Sequence, residues 1–330
     1  MTPKATYLAL MVLIVHAVSA LAADEQEPDA KQWLERMVDA AQSLNYEGTF
    51  VYVQNQLVEA MRIIHSRGPD GERQRIFSLN GSLREVIVKD RKVTCYFSKR
   101  RVDFGVSNYN GSPFPIALPK ELGEIEKYYS FEVIGDDRIA GRKARVIAIL
   151  PRDELRFGYR LWLDYETGMV LQMALVDASG QSLEQLMFTD LQVKPEIDPS
   201  LLVSPRSLQS DAMQTQVASA GEPITRSDWT VDELPSGFVE VMHNRLAKPS
   251  VASATEHIVF SDGLATVSVF LEKLENPEPL LNGTSQMGAM NAFGGVVDGH
   301  QVIVVGDAPA RTIEMITESL VYDPDASESD

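Results

Sequence analysis

Cysteine is almost absent from this 330-residue chain: Cys95 stands alone. That excludes an intramolecular disulfide and leaves stability to a packed core. Histidine is scarce too, and beyond residue 22 only His65, His243, His257 and His300 remain, widely scattered. No HExxH or paired-cysteine spacing offers a metal ion its ligands. A Gly-x-Ser-x-Gly elbow and a glycine-rich phosphate loop are also missing, so nucleophilic hydrolysis and nucleotide chemistry lack their motifs. The 47 acids single out no catalytic pair and read as solvated faces. The sequence therefore names no catalytic residue, no metal site and no cofactor. Positive charge is in deficit, with a net charge of −17, which disfavours nucleic acid as a partner.

Long apolar runs are lacking after the first residues. Lys4, the run Tyr7–Val18 and Ala20-Leu21-Ala22 together predict a secretory signal over residues 1–22. No later stretch reaches the 18 or so apolar residues of a membrane span. No cysteine follows the run to carry a lipid anchor. The expectation is a soluble exported protein of globular composition, 44% apolar and 23% charged.

After an acidic lead, Trp33, Leu34, Met37, Val38, Ala41 and Leu44 recur at three-to-four spacing, which predicts a helix over about Asp29–Leu44. From Thr49 the period becomes two, and Pro69-Asp70-Gly71, Asn80-Gly81, Thr167-Gly168 and Ser179-Gly180 punctuate strand-like runs, an antiparallel meander. Phe104–Ile125, broken by Pro113, Pro115 and Pro119, reads as a covering loop or lid. The meander resumes at Ser130–Ile134 and runs to Leu183–Leu191. Residues 201–223, rich in Ser, Gln, Ala and Pro, read as an exposed connection. A second block over 224–322 carries Phe238–His243, Glu256–Phe260, Leu264–Glu272, Ala289–Val297 and His300–Val305 as strands. Asp262-Gly263 and Asp298-Gly299 are expected to form two-residue hairpins there, and Ala308–Leu320 a final helix. Residues 323–330 form an acidic tail. The fold class is α+β, mainly antiparallel β.

Charge is segregated. Between Met61 and Arg101, eleven basic residues stand against four acidic ones, a basic zone in an acidic chain. Arg84, Arg91, Arg100 and Arg101 are the candidate anion-binding residues, suited to a phosphorylated lipid or an acidic segment. Trp33, Met37, Phe50, Tyr52, Phe77, Tyr96 and Trp162 are candidate lining of an apolar, lipid-binding cavity in a curved sheet, though ordinary core packing uses the same residues.

Six stretches, in order along nearly the whole chain after the signal, resemble the RseB/MucB family of periplasmic stress-sigma-factor regulators. They are Tyr46-Glu47-Gly48-Thr49-Phe50-Val51-Tyr52; Gly141-Arg142-Lys143-Ala144 leading into Leu150-Pro151-Arg152-Asp153; Phe157-Gly158-Tyr159-Arg160-Leu161-Trp162-Leu163-Asp164 with Thr167-Gly168; Leu234-Pro235-Ser236-Gly237-Phe238; Phe260-Ser261-Asp262-Gly263-Leu264; and Val304-Val305-Gly306-Asp307-Ala308-Pro309. The resemblance implies an unclosed antiparallel barrel of LolA/LolB type with helices over 23–200, which senses lipid. It also implies a smaller antiparallel sheet packed by a helix over 224–322. The implied function is non-catalytic: binding the periplasmic segment of a transmembrane anti-sigma factor of the RseA/MucA kind, shielding it from regulated proteolysis, and release by lipid or lipopolysaccharide. Some members carry paired cysteines in the second block and this chain has none there, so no disulfide-dependent feature transfers. A periplasmic lipid or lipoprotein carrier is the alternative reading, and an envelope hydrolase a more distant one. The C-terminal edge strands, with His300–Val305 counted among them, are the expected place for a peptide to add as a strand. Homo-oligomerisation is left open.

Overall fold

The computed structural model describes residues 27–69, 71–89, 92–98, 100–104, 118–119, 121–206, 214–218, 221–246, 254–274 and 281–324. The signal segment, most of the Pro-rich insertion, parts of the connection, most of the acidic tail and Arg91 lie outside the described residues. Helix α1 (Ala30–Ser43) starts where its sequence says it should. The Asp29 carboxylate accepts from the Gln32 N–H, and the Gln32 side chain accepts from the Asp29 N–H, a reciprocal cap. Its stripe of Trp33, Leu34, Met37 and Val38 is buried. Removing such side chains from water contributes roughly 1.5–3 kcal/mol for each of the large ones.

Among the described residues, twelve strands form one open sheet. They are β1 (Asn45–Gln54), β2 (Leu57–Gly68), β3 (Gly71–Ser78), β4 (Glu85–Lys89), β5 (Lys92–Tyr96), β6 (Arg100–Phe104), β7 (Tyr129–Ile139), β8 (Arg142–Pro151), β9 (Gly158–Asp164), β10 (Val170–Val176), β11 (Ser182–Lys194) and β12 (Gln214–Ala218). Their spatial order is β12-β6-β5-β4-β3-β2-β1-β11-β10-β9-β8-β7. All pairs are antiparallel except β12 beside β6, and the two end strands do not pair with each other, so the barrel is unclosed. The resumed meander, from Ser130–Ile134 to Leu183–Leu191, is formed by β7 to β11.

The smaller assembly comprises β13 (Glu222–Pro223), β14 (Trp229–Val231), β15 (Val239–Leu246), β16 (Thr255–Ser261), β17 (Thr266–Lys273), β18 (Gly283–Met287), β19 (Met290–Val297), β20 (His300–Gly306), helix α2 (Ala310–Glu318) and β21 (Leu320–Tyr322). Seven of its strands order as β13-β15-β16-β17-β20-β19-β18, and β14 pairs with β21. Helix α2 buries Ile313 and Ile316 against Val267, Val269, Val302 and Val304.

Three expectations need correction. His300–Val305 lies in β20, which is interior between β17 and β19; the edges are β13 and β18. Asp298-Gly299 does make the two-residue hairpin, both residues having positive φ. Asp262-Gly263 does not: Ser261 pairs with Thr266 across a four-residue turn, because Asp262 Oδ1 accepts from the Leu264 and Ala265 N–H groups and pins a longer loop. The supposedly exposed connection is partly structured. Leu202 packs with Ile64 and Ile197, buried Ser204 donates to Glu85, and Gln214–Ala218 adds β12 to the sheet.

Candidate functional site

Strand alternation and register divide the large sheet into two chemically different faces. On the inner face α1 covers Ile147, Ile149, Tyr159, Leu161, Leu163 and Val170, and its last turn joins the cluster containing Tyr46, Phe50 and Phe188. Further along, Ile63, Ile76, Val86, Cys95 and Val102 stand directly opposite one another across β2 to β6. Ile63 is buried, and the other four remain partly exposed. This apolar row, with Met61 beside it, is the part of the inner face that α1 leaves open. Burial pushes the Cys95 thiol up, with the Asp103 charge adding to the shift, so it behaves as an apolar wall atom rather than a nucleophile.

The outer face of the same strands carries Arg62, Arg73, Arg75, Lys89, Lys92 and Arg101. Arg62 pairs with Glu47 at 2.7 Å, Arg75 with Glu85 at 2.6 Å and Arg101 with Asp103 at 3.0 Å. Arg73, Lys89 and Lys92 form one cross-strand row, Lys89 directly opposite Lys92, at the end of the strands where the β2–β3 and β4–β5 turns lie. Like charges in that position repel, and an anion placed against them relieves the repulsion.

The sequence-predicted residues divide accordingly. Trp33 and Met37 lie buried in the core under α1, Phe50 is buried on the inner face, and Tyr52 on that face donates to Glu184 at 2.7 Å. Phe77 and Tyr96 face outward, in register with Glu85. Trp162 alternates with Leu161 and Leu163, which face α1, so it also faces outward; its Nε1 donates to Asp137 at 2.9 Å. The seven aromatic and apolar residues therefore do not line one cavity together. Arg84 pairs with Glu59, Arg100 sits over the Phe97 ring, and Arg101 packs against Tyr96. Arg100 and Arg101 alternate to opposite faces.

The sequence reading missed a third feature, the seam where the ends of β7–β9, β11 and β1 meet the turns of the small sheet. Arg156, fully buried, donates from Nε to Asp262 Oδ2 at 2.6 Å and also bonds Asp153 and the Ser236 carbonyl. The rings of Tyr128 and Phe238 lie against its guanidinium at 4.8 and 5.4 Å. The Tyr129 hydroxyl donates to the same Asp262 oxygen at 2.9 Å, and both burial and that carboxylate raise its pKa. With the two turn N–H groups on Oδ1, Asp262 has a partner on each lone-pair side. Gly237 and Gly263 have positive φ, and a Cβ on either would lie 2.5 Å from the Tyr128 ring or 2.9 Å from Ile125, so only glycine allows this approach. A second contact is polar: Glu184 accepts from Tyr52, from Gln54 at 2.7 Å and from the Ala289 N–H at 3.1 Å. Ala289 itself is buried in the core cluster of α1, where Leu264 also packs. A third is the Thr312 hydroxyl donating to the Leu155 carbonyl at 2.7 Å.

Five of the six stretches quoted from the sequence supply a residue to this seam: Tyr52, Asp153, Tyr159, Ser236 with Gly237, and Asp262. Their order along the chain was visible; their convergence required the fold. Among the described residues no group of His, Cys, Asp and Glu is arranged to hold a metal ion, and no helix is long and apolar enough to cross a membrane.

Comparison with known proteins gives a consistent result. The family described as the MucB/RseB N-terminal domain matches residues 29–206, and the MucB/RseB C-terminal domain matches 223–321. The chain is similar to the sigma-E factor regulatory protein RseB of Salmonella typhimurium, 27% identical over 317 residues, 94% of this chain and 96% of that protein. It is also similar to the sigma factor AlgU regulatory protein MucB of Pseudomonas aeruginosa, 29% identical over 321 residues, again 94% and 96%. Among solved structures, MucB in complex with MucA(peri) matches with a TM-score of 0.69 at 27% identity, covering 89% of this chain and 99% of that one. The Pseudomonas aeruginosa MucA/MucB complex matches with 0.70 at 27% identity and the same coverage.

Proposed function

The chain belongs to the MucB/RseB family, and from that membership we propose that it is a periplasmic negative regulator of an envelope-stress sigma factor. It binds the periplasmic segment of a transmembrane anti-sigma factor, shields that segment from regulated proteolysis and lets go when lipid arrives. The observation that carries this reading is the end-to-end likeness to MucB as solved with MucA. Residues 23–200 and 224–322 are proposed as the lipid-sensing and partner-binding modules, joined through 201–223. A holding rather than a transforming role is supported by its relatives, which are named as regulatory proteins.

The lipid half of the proposal rests on the two faces of β2–β6. Acyl chains fit the open apolar row of Ile76, Val86, Cys95 and Val102, and headgroup phosphates fit the facing, exposed Lys89 and Lys92 at the ends of the same strands. This replaces Arg84, Arg91, Arg100 and Arg101 as the favoured anion contacts, since Arg84 is already paired and Arg100 and Arg101 point apart. The carrier alternative uses the same face but gives the small sheet no task. Calorimetric titration of the exported chain with the periplasmic segment of its organism's anti-sigma factor tests the regulator reading. Binding at about micromolar Kd, some −8 kcal/mol, is expected; no heat and no co-elution at that concentration would sink it.

A further inference from the structure

Charge is missing from three stretches of a chain that is strongly acidic overall: residues 48–58, 76–83 and 281–297 hold no Asp, Glu, Lys or Arg. Each of them contains a chain reversal, and the three reversals meet. Gln54 pairs with Leu57 across Asn55-Gln56, and Met287 with Met290 across Gly288-Ala289; Asn55 and Gly288 supply the positive φ that such two-residue turns require. The β3–β4 connection is clamped to β2. Its Leu79 N–H donates to the Ala60 carbonyl at 2.7 Å, and Asn80 accepts the Ala60 N–H at 2.7 Å while donating to the Val58 carbonyl at 3.1 Å. Gly288 lies so close to Gln54 that a Cβ there would collide with its side chain. Two tips of the large sheet and one of the small sheet therefore share an edge. Leu57, Val58, Leu79, Leu83, Met287 and Met290 project from them and keep 36% to 63% of their surface exposed. Behind them Arg84 pairs with Glu59.

We propose that this edge is a membrane-docking surface, whose three tips dip into the interface of a lipid bilayer. Apolar residues exposed one at a time are ordinary, but six of them on three adjoining turns make a patch that is costly to leave in water. The missing charge selects the occupant. A protein partner is held by paired charges as well as by apolar contact, whereas a charged side chain carried into hydrocarbon is expensive. All three tips avoid that expense, although they come from different strands and from both sheets. Asn55, Gln56, Asn80 and Ser82, exposed among the apolar residues, bring uncharged donors and acceptors suited to headgroups and interfacial water. Turns of this kind remain shallow, because their backbone groups need those same polar partners. Lys89 and Lys92 lie at the opposite ends of their strands, so docking by the tips calls for no anionic lipid. For a chain of net charge −17, a zwitterionic surface is also the one approached at the least electrostatic cost. The inference goes beyond the regulator reading and requires no anti-sigma segment, so either can fail without the other.

The test is flotation of the full exported chain with vesicles of phosphatidylcholine and phosphatidylethanolamine. The chain should float with them. Leu57→Ser, Leu79→Ser and Met287→Ser together, one change on each tip, should lower its partition coefficient at least about tenfold, since even partial burial of three such side chains is worth that factor. All three positions are exposed, so the urea midpoint should stay where it is. Lys89→Glu with Lys92→Glu should float like the parent chain, which separates this edge from the proposed lipid-sensing face. A second readout is independent of the triple variant. In a Cys95→Ala chain, an environment-sensitive fluorophore on Ser82→Cys should shift to the blue with vesicles, and one on Glu166→Cys, exposed at the other ends of the strands, should not. A parent chain that stays in the aqueous fraction overturns the proposal and leaves the edge to a protein partner. Flotation that survives the triple change or is lost in the lysine variant overturns it too, as does a Ser82 label that does not respond to vesicles.

Discussion

Replacing Arg156 with Met removes the buried cation that pairs with Asp262 while keeping much of its volume. Asp262, at 0% side-chain exposure, then loses its ion-pair partner. Removing one member of a buried pair costs roughly 3–5 kcal/mol, because the remaining charge stays out of water. Here Asp262 retains the Tyr129 hydroxyl and two backbone N–H groups, so the low end, about 3 kcal/mol, is expected. Asp262→Asn alone leaves Arg156 with Asp153 and the Ser236 carbonyl and should cost about 2 kcal/mol. If the two residues act as a pair, Arg156→Met/Asp262→Asn should cost less than the two singles together, with a coupling of about 2 kcal/mol. Urea unfolding of the four proteins at pH 7.5, followed by tryptophan fluorescence, gives the cycle. An Arg156→Met loss under about 1 kcal/mol, or strict additivity, would show that the seam is loosely hydrated and would refute its reading as a built joint.

Other consequences are open to direct measurement. Acyl chains bound along the Ile76–Val102 row should shield Cys95, slowing its alkylation at least about tenfold, since reaction needs an accessible thiolate; an unchanged rate places the lipid elsewhere. Lys89→Glu with Lys92→Glu should weaken binding of phosphorylated lipid while shifting stability by no more than about 0.5 kcal/mol, both residues being exposed. Equal lipid affinity would return those lysines to mere solubility. Asp29→Ala removes the cap of α1 and should cost about 1 kcal/mol in denaturant unfolding; no loss would mean that core packing alone holds the helix start.

Where the sequence was legible, local chemistry decided the outcome. The stripe from Trp33 to Ala41 and the Asp29 with Gln32 pair specify α1 without help from the rest of the chain, and Asp298-Gly299 specifies its hairpin because both residues tolerate positive φ. The site was harder. Alternation shows that Phe77 and Ile76 point apart, but only the register with β2 and β4 shows that Ile76 is the inner one. Arg156 and Asp262 lie far apart in the chain and read separately as two surface charges among many; nothing local marks them as buried partners. Asp262-Gly263 has the look of a tight hairpin, and its side chain instead holds a wider turn aimed at Arg156. Gln214–Ala218 was missed as a strand because it belongs to a Ser- and Gln-rich stretch with little alternation.

The function proposed for this chain is to hold an anti-sigma segment and release it to lipid. It is tested most directly by following a preformed complex of the chain with that segment, one of them fluorescently labelled, while an acylated, phosphorylated disaccharide is titrated in. Saturable release, blunted by Lys89→Glu with Lys92→Glu, is the predicted result. A complex that stays intact with lipid in excess, under conditions where the same lipid protects Cys95, would contradict the account.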